Sequence, residues 1–343
     1  MLAPLIESVP PKGYGGTELV VSLLTEGLVE RGHDVTLFAS GDSSTSAKLI
    51  PCVPKALRTD DGTPPRRWPA YDLCLLIELE RRLKDFDIVH NHMGYQALPY
   101  LKKLHLPSIT TNHNLVKQYC ERIYRHCAEL AYVSISNAYR RLNMPDYLNY
   151  IATIYNGIDT GSYKFNPHRK GNYLAFLGRI SQDKGTKEAI QIAERVGLPI
   201  RVAGKVDPAD SEYFENEVKP LLKSGRAEYI GELNHDEKTS LLSGALAVIY
   251  PINFDEPFGL VMVESLACGT PVVALDRGSV KEILSDGENA IVGRSIDDLV
   301  SRFPELDRIP RTACRQSVEQ RFSHTRMIRD YEQAYAAILS VKT

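Results

Sequence analysis

No apolar run in the 343 residues approaches the roughly 20 that a membrane-spanning helix needs, so no such span is expected. Met1 to Ile6 is apolar but short, with neither a basic leader nor a cleavage site, and does not read as a secretory signal. The six cysteines lack CxxC or other paired spacing and sit mostly in apolar stretches, which suits buried thiols in a reducing compartment. Neither G-x-G-x-x-G nor G-x-x-x-x-G-K-[ST] occurs, and dinucleotide dehydrogenases and ATPases lose their main support. Charge of one sign is also missing. The net charge is −2, and residues 1–165 hold 18 Lys+Arg against 17 Asp+Glu, so no nucleic-acid partner is expected.

What the chain does have is alternation. Short β-branched runs separated by helical patterns predict parallel sheets built from βα units. The first series of strands is expected near Leu2-Ile6, Val35-Ala39, Ile88-Asn91, Ser108-Asn112, Ala131-Ser134 and Ala152-Ile154. The second is expected near Leu174-Leu177, Ile200-Ala203, Ala227-Ile230, Ala247-Tyr250, Val272-Ala274 and Ala290-Val292. Thr17-Arg31 and Tyr71-Leu83 carry apolar residues at helical spacing, and Arg58-Pro69 reads as a polar, proline-rich loop. Asn156-Gly157, Gly161 and Pro167 interrupt the periodicity, which places a boundary there. The expected domains are residues 1–160, residues 161–322, and a C-terminal helix within 323–343 that returns to the first. Two doubly wound sheets in tandem would put a site in the cleft between them.

The richest stretch is Asp255-Glu-Pro-Phe-Gly-Leu-Val-Met-Val-Glu264. Two glutamates eight residues apart flank a turn that opens an apolar helix, with Pro257 suited to its first position. A helix start offers free N–H groups and a positive dipole end to a phosphate without a metal. On spacing alone, Glu256 reads equally as dipole compensation and Glu264 as a surface charge. Gly13, Gly15 and Gly16 follow the first strand, where a loop can approach a phosphate closely. Arg179 and Lys184 lie just past an apolar strand, where two cations can neutralise a leaving group. His90 and His92 alternate along a strand and His113 ends another. No cysteine or carboxylate near them has ligand spacing, and no metal is expected. Asp85-Phe-Asp87 matches a metal-diphosphate D-x-D pattern but leads directly into a strand, which favours a turn role.

The segment EPFGLVMVE resembles the E-x7-E motif of retaining GT-B glycosyltransferases, in particular glycosyltransferase family 4. The resemblance extends through Gly13-Tyr-Gly-Gly-Thr-Glu18, Asp87-Ile-Val-His-Asn-His92, Asn156-Gly-Ile-Asp159, Gly178-Arg-Ile-Ser-Gln-Asp-Lys-Gly185 and Ala267-Cys-Gly-Thr-Pro-Val-Val273, in the family's order. It implies an α/β, GT-B fold of two Rossmann-like doubly wound domains facing across a cleft, the first taking the acceptor and the second the donor. It implies that Glu264 holds the donor ribose, and that Glu256 with the Phe258-Gly259-Leu260 backbone contacts donor sugar and phosphate. Arg179 and Lys184 resemble the pair that grips the diphosphate, and His113 matches a histidine that hydrogen-bonds the donor sugar.

The activity so implied is cytoplasmic, metal-independent, retaining transfer of glucose or mannose from a nucleotide diphosphate sugar, UDP-sugar first, to an unidentified acceptor. No other cofactor is expected. Arg66, Arg67 and Trp68 are candidate acceptor contacts, and a membrane-surface acceptor is conceivable beside Arg81, Arg82 and Lys84. The competing readings are an epimerase or hydrolase on the same scaffold, and a non-catalytic sugar-nucleotide-binding subunit. E-x7-E with the paired Arg179 and Lys184 favours transfer over the first, and the presence of every expected donor residue argues against the second.

Overall fold

A computed structural model describes residues 1–13, 15–142, 147–168, 171–223 and 225–340. Tyr14 of the glycine loop and residues 341–343 of the last segment lie outside them. The chain forms two compact units, residues 1–157 with the helix that starts at His324, and Ile158–Ser323. Each is a parallel α/β unit of the Rossmann kind.

In the first unit the strands are β1 (Thr36–Ser40), β2 (Lys48–Val53), β3 (Val89–Asn91), β4 (Ser108–Asn112), β5 (Ala131–Ser134) and β6 (Tyr150–Thr153). β1 pairs with β2, and β3 to β6 pair in order, all parallel. Leu2 joins the two sheets through parallel bridges to Phe38 and Asn91. The strand expected over Leu2-Ile6 is therefore a single bridging residue. Pro4 has no N–H to continue a ladder, and the carbonyls of Leu5 and Ile6 turn instead to the N–H groups of Leu57 and Arg58. β2 was not foreseen. Pro51 lies in it, and the strand tolerates proline because it is an edge, paired only with β1.

In the second unit the strands are β7 (Leu174–Leu177), β8 (Ile200–Ala203), β9 (Ala227–Gly231), β10 (Val248–Tyr250), β11 (Val272–Leu275) and β12 (Ala290–Gly293), ordered β12-β11-β10-β7-β8-β9. The order reverses between β7 and β10. That switch point is where the loops leaving two adjacent strands part to opposite faces and open a crevice for a ligand.

The helices that matter are α1 (Gly16–Glu30), α2 (Trp68–Glu80), α3 (Thr186–Arg195), α4 (His235–Gly244), α5 (Leu260–Ala267), α6 (Arg311–Arg321) and α7 (His324–Ser340). α2 begins inside the segment expected to be loop, with Pro69 in its first turn and the Trp68 indole N–H donating to the carbonyl of Thr63 at 3.1 Å. Leu75, Leu76 and Leu79 then face the core with Leu2, Phe38 and Val89. α7 lies against α1, where Gly27 leaves room for the Ile328 side chain, and Glu332 pairs with Arg31 at 2.7 Å and His33 at 3.0 Å. In the second unit the buried Arg311 guanidinium donates to the carbonyls of Asn166, Ser243 and Ala245, tying α6 to two loops. All six cysteines are free. No helix among the described residues is long and apolar enough to cross a membrane.

Glu18, in the first turn of α1, is only 6% exposed. Burial raises its carboxyl from 4.5 to about 7. The folded chain thus holds this proton more tightly than the unfolded one, and the associated stability is full at low pH and lost as pH rises through 7. Glu18→Gln should stabilise the protein by about 3 kcal/mol at pH 8 and by little at pH 5. Urea unfolding at the two pH values reads the difference, and equal effects at both would sink the assignment.

Candidate active site

At the switch point of the second sheet, the loop after β7 carries Lys184 and the loop after β10 carries Glu256. Lys184 reaches the head of α3 because Gly185 takes a left-handed conformation, φ 72°, hard against the carbonyl of Pro251, and caps the helix. Glu256 is 9% exposed and receives the Lys184 ammonium at 2.5 Å and the Tyr250 hydroxyl at 2.7 Å, both on Oε2. With side chains only 17% and 12% exposed, this pair neutralises two charges that neither could lose to water cheaply. The Lys184 ammonium also lies 4.8 Å from the Phe254 ring centre.

The backbone under Glu256 is held from the other side. Gly278, at φ 56°, packs so closely that a β-carbon there would overlap the N and O of Glu256. The N–H of Ser279 donates to the Glu256 carbonyl at 3.0 Å and the Ser279 hydroxyl to that of Phe258 at 2.9 Å.

α5 opens at Leu260, later than Pro257 suggested. Gly259 is its N-cap with φ 80°, a left-handed conformation that favours glycine, and no side chain caps the helix. The Met262 N–H returns to the Gly259 carbonyl at 3.0 Å, and the N–H groups ahead of it are the ones left to a ligand or to water. Phe258 is buried against Phe322, while Glu264 falls in the second turn, 4% exposed. Glu264 Oε1 accepts from the Tyr163 hydroxyl at 2.9 Å and from the Lys238 ammonium at 2.5 Å, leaving Oε2 outside both bonds. Burial pushes the Tyr163 hydroxyl well above its ordinary range, so it stays a donor.

Arg179 and Lys184 have different ion-pair partners. Its guanidinium faces Asp210 at 3.5 Å, Asp207 at 3.7 Å and Asp183 at 4.0 Å. Desolvation raises the Asp210 carboxyl, with Asp207 and Asp183 adding to the effect and Arg179 opposing it. Tyr250, Tyr163 and Lys238 were not anticipated. They lie outside every motif, and Lys238 is 26 residues from its partner, on α4.

The first unit contains a cavity of about 470 Å³ at its own switch point, between the segment after Leu2 and the loop after β3. Trp68, Asp72, His92, Tyr95, His113 and Tyr119 are among its walls; Arg66 and Arg67 are not. Burial lifts the Asp72 carboxyl to about 6. Gly15, ahead of α1, leaves room for Pro11, and Gly16 is the first residue of α1, which no side chain caps. The three histidines do come together, but they bond one another and hydroxyl groups. Among the described residues no set of three or more His, Cys, Asp or Glu could hold a metal ion. Asp85 ends a short 3-10 turn, and Asp85 and Asp87 are both exposed.

The family model described as Glycosyl transferases group 1 matches residues 160–310, and that described as Glycosyltransferase Family 4 matches residues 14–162. The alpha-maltose-1-phosphate synthase of Mycobacterium tuberculosis is 26% identical over 297 residues, 73% of this chain and 76% of that protein. AviGT4, a glycosyltransferase involved in avilamycin A biosynthesis, superposes with a TM-score of 0.72 at 25% identity, over 97% of this chain and 93% of that one. Anabaena HepE in complex with UDP-glucose gives a TM-score of 0.75 at 15% identity, over 98% of both chains.

Proposed function

The chain is a glycosyltransferase of GT-B architecture, and from that premise we propose that it belongs to glycosyltransferase family 4 and transfers a hexose, with retention, from a nucleotide diphosphate sugar bound by the second unit. The observation that carries the proposal is the meeting of Lys184 and Glu256 at the switch point, beside the uncapped start of α5. UDP-glucose is the first donor to test, since a structural neighbour holds it.

Lys184 and Glu256 satisfy each other in the structure. A diphosphate would draw the ammonium away, and the α5 N–H groups would take further phosphate oxygens. Glu256, released, would accept hydrogen bonds from sugar hydroxyls. As the bond from the anomeric carbon to the phosphate oxygen breaks, negative charge grows on the diphosphate, and Lys184 and the helix start stabilise it where it forms. The acceptor hydroxyl attacks from the same face, and its proton passes to the departing phosphate oxygen. Glu264 Oε2 suits the ribose hydroxyls. Arg179, freed from its three aspartates, would be the second cation on the diphosphate. Trp68 and the cavity of the first unit suit the acceptor.

Calorimetric titration in EDTA with UDP, GDP, ADP and their glucose and mannose conjugates tests the reading. Saturable binding of the UDP series is expected. Silence with all of them, or binding only after a divalent metal is added, would overturn it.

A further inference from the structure

β3 places His90 and His92 two residues apart on one face, and His113 follows the end of β4. Both strand histidines are almost fully buried, at 2% and 3% exposure. His90 is held at both nitrogens. Nδ1 meets the Tyr335 hydroxyl at 2.7 Å, and Nε2 meets the Thr111 hydroxyl at 2.8 Å, which in turn meets that of Tyr331 at 2.9 Å. The His92 ring lies against His90, tilted by 37° with centres 3.9 Å apart, and its Nδ1 lies 2.9 Å from Nε2 of His113.

Burial lowers all three imidazoles, His113 to about 4, so all are neutral near pH 7. One proton then lies between His92 Nδ1 and His113 Nε2, and its owner can be argued. His92 Nε2 is buried with no hydrogen-bond partner among the described residues. If His113 donated, His92 would carry its proton on that nitrogen, a buried N–H with no acceptor. If His92 donates, the buried nitrogen is only a bare lone pair, and orphaned buried N–H groups are the rarer and more costly case. The proton belongs to His92 Nδ1. His113 must then be protonated at Nδ1, the nitrogen outside that bond, and both residues line the cavity.

We propose that His92 is a positioning residue that fixes the tautomer of His113, so that His113 offers an N–H to a ligand hydroxyl oxygen and has no free lone pair with which to act as a base. This rests on the reading of His113 as the residue that contacts the transferred sugar. Thr111, Tyr331 and Tyr335 serve it indirectly by holding the His90 ring against which His92 lies.

Long-range proton–nitrogen NMR on the histidine-labelled full chain at pH 7, without ligand, should show His113 protonated at Nδ1. His92→Phe should move that proton toward Nε2. It should also lower kcat/KM for UDP-glucose hydrolysis by about tenfold to a hundredfold, the worth of a hydrogen bond lost at a buried group, with UDP affinity unchanged. His92→Asn, whose amide N–H can take the place of Nδ1–H, should retain both the tautomer and most of the rate. A wild-type His113 protonated at Nε2, or a His92→Phe variant with unaltered tautomer and hydrolysis, overturns the inference. Failure of the wild type to bind UDP would count against the transferase reading alone, because the tautomer is read without substrate.

Discussion

Replacing Glu264 with alanine is expected to weaken UDP binding by about tenfold to a hundredfold, the range for a hydrogen-bonding charged group removed from a desolvated site. The carboxylate is 4% exposed, and one of its oxygens is committed to Tyr163 and Lys238. The loss has two parts. The ligand forfeits an acceptor for its ribose hydroxyls, and the ammonium of Lys238 forfeits its partner. Glu264→Gln separates them, since it keeps an oxygen for Tyr163 and removes the charge that holds Lys238. Titration of all three proteins with UDP, alongside urea unfolding, distinguishes a lost contact from a loosened site. Unchanged UDP affinity in Glu264→Ala would remove Glu264 from the donor site.

Lys184→Ala should lower the transfer rate by about a hundredfold to a thousandfold, the scale seen when one preorganised donor to a developing charge is deleted. It should also destabilise the second unit, because Glu256 keeps only the Tyr250 hydroxyl. A nearly buried carboxylate stripped of its cation costs about 3 kcal/mol. The double variant Lys184→Met, Glu256→Gln leaves no unpaired charge and should recover most of the stability and none of the rate. If it recovered the rate as well, Lys184 would be a structural cation only.

The sequence reveals what is periodic or continuous. β4, β5, β7 and β8 fall where the alternation of short runs places them, and β7, Leu-Ala-Phe-Leu, is the plainest case of a buried strand that writes itself as an unbroken apolar segment. The same rule hides β2, an edge strand of mixed polarity with a proline in it, and overstates the pairing at Leu2, where Pro4 removes the next donor. The start of α5 was displaced because Pro257 is a suitable first residue, but the left-handed turn at Gly259 intervenes.

Within the site, Lys184 and Glu256 belong to motifs and do touch. Tyr250, Tyr163 and Lys238 reach the same carboxylates from separate elements, and nothing in their local spacing announces it. Arg179 shows the reverse. Its position in a motif gave no hint of Asp207 and Asp210, more than 25 residues downstream, which face its guanidinium.

Gly278 has a consequence for how this chain can vary. It touches no candidate ligand and belongs to none of the motifs, yet any side chain there would collide with the backbone of Glu256 and would have to adopt a left-handed conformation as well. In a saturation library selected for transfer, position 278 should tolerate fewer residues than Arg179, whose half-buried site leaves lysine some access to the same anion. The narrowest positions in such a library would then trace the floor beneath the site as well as the groups that face into it.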